Sequence, residues 1–247
     1  MRNHVPLGET WESFHIDGHK VGFLHRTTAR AENFQDVLMS KLQVVLAVYG
    51  EITHYEHTYY FHNRAGFPSH SYLLDAGQGA PIHVRFVDHQ MICQVDDDIF
   101  TERVPEDTRP SYGYYPLVVT IPFIKDYRTP FTRVDDVSCC VEGNARFVSR
   151  GWEPVTLPGE CLQLWRVDEY AGQRLTNQYW LDDERRIRQS NWLGAVSYWV
   201  ATKEEALSGL PAKLVTTTQK ILDSSQEFDW SEVTAWLNNK QDGEFTI

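Results

Sequence analysis

From Thr10 onward, short runs of Val, Ile, Tyr, Trp and Thr alternate with turn-forming residues at roughly ten-residue spacing, the pattern of an antiparallel meander. It is clearest in WESFHIDGHKVGFLHRT, where Asp17-Gly18 suits the positive φ angles of a type I′ turn between strands over 11–16 and 20–27. Strands follow over 42–48 and 52–62, joined through Tyr49-Gly50, and over 67–74 after a turn at 63–66. Gly77-Gln78-Gly79 then turns the chain again. Segments 82–87, 90–95 and 99–104 continue the zigzag, and such short connections make neighbours in sequence neighbours in space.

Residues 105–130, PEDTRPSYGYYPLVVTIPFIKDYRTP, break the rhythm. Five prolines and a run of tyrosines would spoil a central strand, so the segment reads as a crossover or lid between two strand-rich halves. Strands resume over 141–150, 160–170, 174–181, 186–193 and 196–202, with a last one expected over 211–221. FDWSEVTAWLNNK reads as a short C-terminal helix over 229–239, with Asp229 as N-cap and Glu232 three residues on.

The order of elements resembles a known group. WESFHIDGHKVGFLHRTTA is similar to the opening hairpin of uncharacterised bacterial proteins with a LolA-like fold, the lipoprotein-carrier superfamily. GWEPVTLPGECLQLWRVDEYAGQRLTNQYWLDDERRIRQSNW is similar to their closing hairpins. The resemblance implies an incomplete, strongly curved antiparallel barrel around a helical or loop lid, enclosing an apolar cavity; characterised members carry lipids or lipoproteins outside the cytoplasm. The expected fold is thus all-β: one domain over 1–247, a half-barrel with its lid near 105–130.

Composition narrows the function. A chain of 247 residues with 42% hydrophobic and 13% aromatic content buries a substantial core. Its net charge of −11, with Lys and Arg scattered, leaves no basic surface for phosphate backbones, so nucleic acid is not an expected partner. The polar start MRNHVPLGETW and the lack of a run of about 18 apolar residues predict a cytoplasmic protein without a membrane span. Cys93, Cys139, Cys140 and Cys161 lack CxxC spacing, which suits reduced thiols better than zinc or a disulfide framework.

The densest chemistry lies in HYEHTYYFH, His54 to His62. Strand alternation divides it: His54, Glu56, Thr58, Tyr60 and His62 share one face, and Tyr55, His57, Tyr59 and Phe61 the other. His54 and His62 would stand about 26 Å apart along an extended strand, so only His54 and Glu56 form a local metal-ligating pair, to be completed by His70 or His83. No metal and no organic cofactor are expected.

His57 between Tyr55 and Tyr59 is the expected acid–base group, with His83 and Arg85 placed opposite it by barrel curvature. Trp165, Tyr179, Trp180 and Trp192, with Tyr114 and Tyr115 of the lid, are candidate ligand-binding residues for an apolar or aromatic small molecule. Trp165 and Tyr179 are expected to face each other across the hairpin turned at Ala171-Gly172. No Gly-x-Ser-x-Gly elbow, GxGxxG or P-loop is present. Two functions follow: a binder of a hydrophobic small molecule, or a cofactor-independent cyclase or isomerase using His, Tyr or Glu. The oligomeric state is open, a homo-oligomer included. Inward ionisable residues would favour the enzyme; an all-apolar cavity would favour the binder.

Overall fold

The computed structural model describes residues 5–31, 36–48, 51–75 and 80–224. The first half contains β1 (Gly8–Ile16), β2 (His19–Arg30), β3 (Val37–Val48), β4 (Glu51–His62), β5 (Ser69–Asp75), β6 (Ile82–Val87), β7 (Gln90–Val95) and β8 (Asp98–Arg103). After β9 (Thr108–Pro110) and helix α1 (Tyr115–Thr120) come β10 (Arg128–Val134), β11 (Val141–Leu157), β12 (Glu160–Ala171), β13 (Arg174–Leu181), β14 (Ile187–Trp192) and β15 (Ala195–Val200). Helices α2 (Lys203–Leu207) and α3 (Ala212–Ser224) end the described chain.

All fifteen strands form one curved, unclosed sheet in the order β8-β7-β6-β5-β4-β3-β2-β1-β15-β14-β13-β12-β11-β10-β9. Every pairing is antiparallel except that of β9 with β10. The first hairpin turns as its sequence predicts, with φ of 50° at Asp17 and 76° at Gly18. β6, β7 and β13 have the bounds read from hydrophobic alternation. The turns expected at Tyr49-Gly50 and 77–79, and the helix over 229–239, lie outside the described residues.

The strand expected over 211–221 is instead helix α3. Pro211 precedes its first turn and accepts a hydrogen bond from Val215 N at 3.1 Å. Leu214 of α3, with Leu210 just before the helix, buries against Phe23 and Val45 on the outer face of the sheet. The short α2 joins the same cover, its last carbonyls capped by Lys20 Nζ, which donates to Glu205 O at 2.9 Å and Ser208 O at 2.7 Å.

Curvature folds the β9 edge back onto β5, where Ser69 Oγ donates to Thr108 O at 2.9 Å and Arg109 reaches Gly66 O at 2.7 Å. The segment between β8 and β10 therefore lies inside the curve. Tyr114, Leu117, Val118, Val119 and Ile121 pack in one core with Tyr59, Phe61 and Tyr72 of one half and Phe131, Phe147, Trp165 and Leu181 of the other. All six residues of α1 are buried, which is what makes this proline-broken stretch helical: its backbone satisfies itself where no strand is available to pair with it.

Candidate functional site

On β4, His57, Tyr59 and Phe61 alternate onto the inner face, opposite Leu42, Ser40 and Leu38 of β3. The turn between β10 and β11 meets them. Its Asp135 Oδ1 accepts from Ser138 N at 2.7 Å and Ser138 Oγ at 2.8 Å, and Asp135 N donates to Cys140 O at 3.0 Å. This closed turn directs Asp136 inward, where it is fully buried. Tyr59 Oη donates to Asp136 Oδ2, and Ser111 Oγ donates to Asp136 Oδ1 at 2.6 Å.

His57 Nδ1 stands 2.8 Å from Tyr59 Oη and 3.4 Å from Asp136 Oδ2. Tyr59 has one hydroxyl proton and gives it to the carboxylate, so its oxygen accepts from His57. Nδ1 therefore carries a hydrogen. Burial pushes the Asp136 carboxyl up, but its hydrogen bonds from His57, Ser111 and Tyr59 outweigh burial and hold it below its ordinary value. Burial first, then the Asp136 charge, pushes Tyr59 well up.

A second group of charges lines the same interior. Arg26 of β2 donates to Ser40 Oγ at 3.3 Å and lies over the Tyr115 ring, 4.6 Å from its centroid. Glu12 of β1 accepts from Ser197 Oγ, which also contacts Ser190 Oγ at 2.6 Å. Burial raises the Glu12 carboxyl, and the Arg26 charge opposes the shift. Glu169 of β12 accepts from Asn177 at 2.6 Å, Tyr179 at 3.1 Å and Arg133 at 3.1 Å, yet burial still raises it.

Between these groups lies an enclosed space of about 30 Å3, lined by Arg26, Ser111, Tyr112, Tyr114, Tyr115, Asn177, Tyr179 and Trp192 with Leu42, Val118 and Ile187. Arg26 Nε, Tyr114 Oη and Trp192 Nε1 are buried there without a hydrogen-bond partner among the described residues. Tyr112 links this space to the carboxylate–imidazole pair, its ring 5.3 Å from His57 and 5.6 Å from Trp192. It is also 41% exposed, so it stands at the mouth. A larger polar cleft of about 400 Å3 opens at the seam, between His62, Arg64, His89 and Glu106. It exceeds the inner space in size, but the unpartnered buried donors line the inner space, and Ser111 and Tyr112 connect that space to the carboxylate–imidazole pair.

Of the residues expected at the site, His57, Tyr55, Tyr59, Trp165, Tyr179, Trp192, Tyr114 and Tyr115 do share the inner face or the segment packed on it. His83 and Arg85 do not: Val84 between them faces the core against Tyr72, so alternation turns both to the outer face. Trp180 is also outside, packed with Leu157 and Leu164 and donating to Glu153 Oε1 at 2.7 Å. Tyr179 pairs with Val167 rather than with Trp165, because the chain turns at Gly172-Gln173, with Ala171 paired to Arg174, and a bulge at Glu169/Tyr170 shifts the register by a further residue. His54 and Glu56 lie on the outer face, where Glu56 accepts from Gln43 at 2.9 Å and pairs with Lys41 at 2.7 Å.

Asp136, Ser111, Tyr112, Arg26, Glu12 and Glu169 were not among the residues singled out from the sequence. Glu12, Arg26 and Glu169 carried one available signal, each being a charge on the strand face that its apolar neighbours two positions away assign to the interior. Asp136 sits in an irregular turn, where alternation says nothing.

No family model and no curated protein sequence matches the chain. Among solved structures it is similar to a beta-barrel-like protein of the domain of unknown function DUF1849 from Brucella abortus, with TM-score 0.51 and 7% identity over 79% of this chain and 95% of that one. A DUF1089 family protein from Pseudomonas aeruginosa is similar with TM-score 0.37 and 10% identity over 76% of this chain and 91% of that one. The first likeness shows a β-barrel-like fold; at such identity it extends to nothing finer.

Proposed function

We propose that the chain is a half-barrel of the LolA-like kind that binds an amphipathic small molecule in its interior, with an oxygen-rich head at Arg26 and an apolar or aromatic body along Tyr112, Tyr115 and Trp192. The observation that carries this reading is the set of unpartnered buried donors, Arg26 Nε, Tyr114 Oη and Trp192 Nε1, around one enclosed space. Buried donors are costly when unmet, at about 1–3 kcal/mol each, and a carboxylate or similar head would meet them. A space of about 30 Å3 has room for about one water, so binding requires the 105–130 segment to shift outward as a lid, with Tyr112 moving first.

The test is calorimetric titration and thermal shift with dodecanoate, retinoate and 1-anilinonaphthalene-8-sulfonate, alongside native mass spectrometry of the purified protein. Saturable binding weakened at least tenfold by Arg26→Met is the expected result. Binding unaffected by Arg26→Met, or no binding of any probe, overturns the reading.

A second reading, a cofactor-independent isomerase or cyclase, is favoured by the buried His57–Asp136 pair. Asp136 orients the ring through Nδ1–H, and Nε2 takes a proton from the substrate as general base. Incubation of a ligand that binds in D2O, followed by mass spectrometry, tests it: deuterium incorporated by the wild type and lost in His57→Gln supports proton transfer. Its absence in the wild type leaves a binder.

A further inference from the structure

Cys93 of β7 and Cys139, in the turn that delivers Asp136, have their sulfurs 2.6 Å apart. Non-bonded heavy atoms rest at roughly 3.5–4.0 Å. A bonded pair of sulfurs lies at about 2.05 Å. Both are free thiols and both are buried, whereas Cys140 and Cys161 are free and exposed. Cys139 also holds a left-handed backbone conformation, φ 55°, which a residue with a side chain adopts at a cost and which here turns its sulfur onto β7 while Cys140 points out.

We propose that Cys93 and Cys139 form a reversible disulfide, a covalent staple between β7, the strand next to the β8 edge of the sheet, and the turn that carries Asp136. The staple stands independently of the binding and acid–base readings.

The chemistry is directional. The Cys139 sulfur accepts hydrogen bonds from the Cys93 thiol and from Tyr72 Oη at 3.4 Å, which favour its thiolate and hold its pKa below the ordinary value, while the same contact and burial push Cys93 up. Cys139 is the attacking thiolate. It displaces one thiolate from a small disulfide, RSSR, to give Cys139–S–S–R. Cys93 then loses its proton and attacks the Cys139 sulfur, expelling the second RS−. Two protein thiols give up two electrons and two protons, and RSSR leaves as two RSH. Exposed Val137, Ser138 and Cys140 flank the turn, giving the oxidant access through its outer edge.

The experiment exposes the folded protein to oxidised glutathione, quenches with iodoacetamide in denaturant and maps peptides without reduction. The expected product has lost two hydrogens, links the peptide containing Cys93 to that containing Cys139, and retains alkylated Cys140 and Cys161. Its Tm rises on the order of 10 °C and returns with dithiothreitol, since the crosslink closes a long loop. Cys140→Ser and Cys161→Ser keep the link; Cys93→Ser abolishes it, as does Cys139→Ser. Four alkylated cysteines after oxidation, or a link through Cys140, overturns the proposal on the wild-type chain alone, whatever the folding of the variants.

Discussion

His57 Nδ1 and Asp136 Oδ2 meet at 3.4 Å inside the sheet, one from a central strand and the other from a turn in the opposite half of the chain. Asp136 is fully buried and His57 nearly so, and Tyr59 and Ser111 complete the carboxylate's hydrogen bonds. The group therefore ties the two halves of the molecule together as well as forming the centre of its polar interior.

Asp136→Ala should cost about 3 kcal/mol or more in urea unfolding, because it leaves Tyr59 and Ser111 buried without their acceptor and takes away the carboxylate beside His57. Asp136→Asn should cost less, since the carboxamide oxygen still accepts. A cost below about 1 kcal/mol for the alanine variant would show that these contacts carry no stability.

The same carboxylate sets an acid limit. Its folded pKa is depressed, so the stability it contributes is present above the unfolded value of about 3.9 and is lost as pH falls through the folded value. Wild type and Asp136→Asn should therefore converge in unfolding free energy on acidification below pH about 4.

His70 gives a pH dependence at higher pH. Burial, then the neighbouring His62 and Arg85 charges, push it down to about 4 from 6.5. The unfolded chain binds the proton first, so stability falls as pH drops through 6.5 and the loss is complete near 4, amounting to about 2–3 kcal/mol. His70→Gln should flatten the wild-type curve between pH 7 and 4.5 in urea titrations; an unchanged slope would remove His70 as the cause.

Glu12 acts in the opposite sense. Its raised folded pKa means the folded chain binds the proton more readily, so its ionisation at neutral pH opposes folding and stability is gained as pH falls through the folded value. The stability of wild type relative to Glu12→Gln should rise on acidification from pH 7 toward 4.5, measured by the same titration.

Gly113 sits where the lid crosses β4. A Cβ there would lie 2.6 Å from Pro110 Cγ and 3.0 Å from Tyr59 Cδ1. Gly113→Ala should displace the segment and lower stability by about 1–3 kcal/mol, seen as a lower Tm with the β-sheet circular dichroism retained. No change in Tm would mean that the lid is already loose at this point.

Much of the sheet was legible from alternation and turn chemistry, because a strand with one buried face writes that face into every second residue. The hairpin at Asp17-Gly18 and the strands β6, β7 and β13 were read on that basis. The same rule put His57 and Tyr59 on one face and His54 and Glu56 on the other. It failed at residues 211–221, where Val and Thr suggested a strand but the segment is helix α3, which buries Leu214 against the sheet.

What the sequence by itself determined was a set of local choices: where the chain turns, which residues share a face, and that the 105–130 segment is no central strand. Which face becomes the interior, and which turns meet there, only the tertiary structure decided. Barrel curvature was expected to bring His83 and Arg85 opposite His57, yet alternation with Val84 turns both outward, and alternation says nothing of Asp136 in its turn. Burial inside the curve removes Asp136, Glu12, Glu169 and Arg26 from water together, and the partners of Asp136 and Glu12 include residues distant in sequence, Tyr59 and Ser197. The same curvature brings Cys93 and Cys139 into contact, a meeting that no spacing along the chain announces.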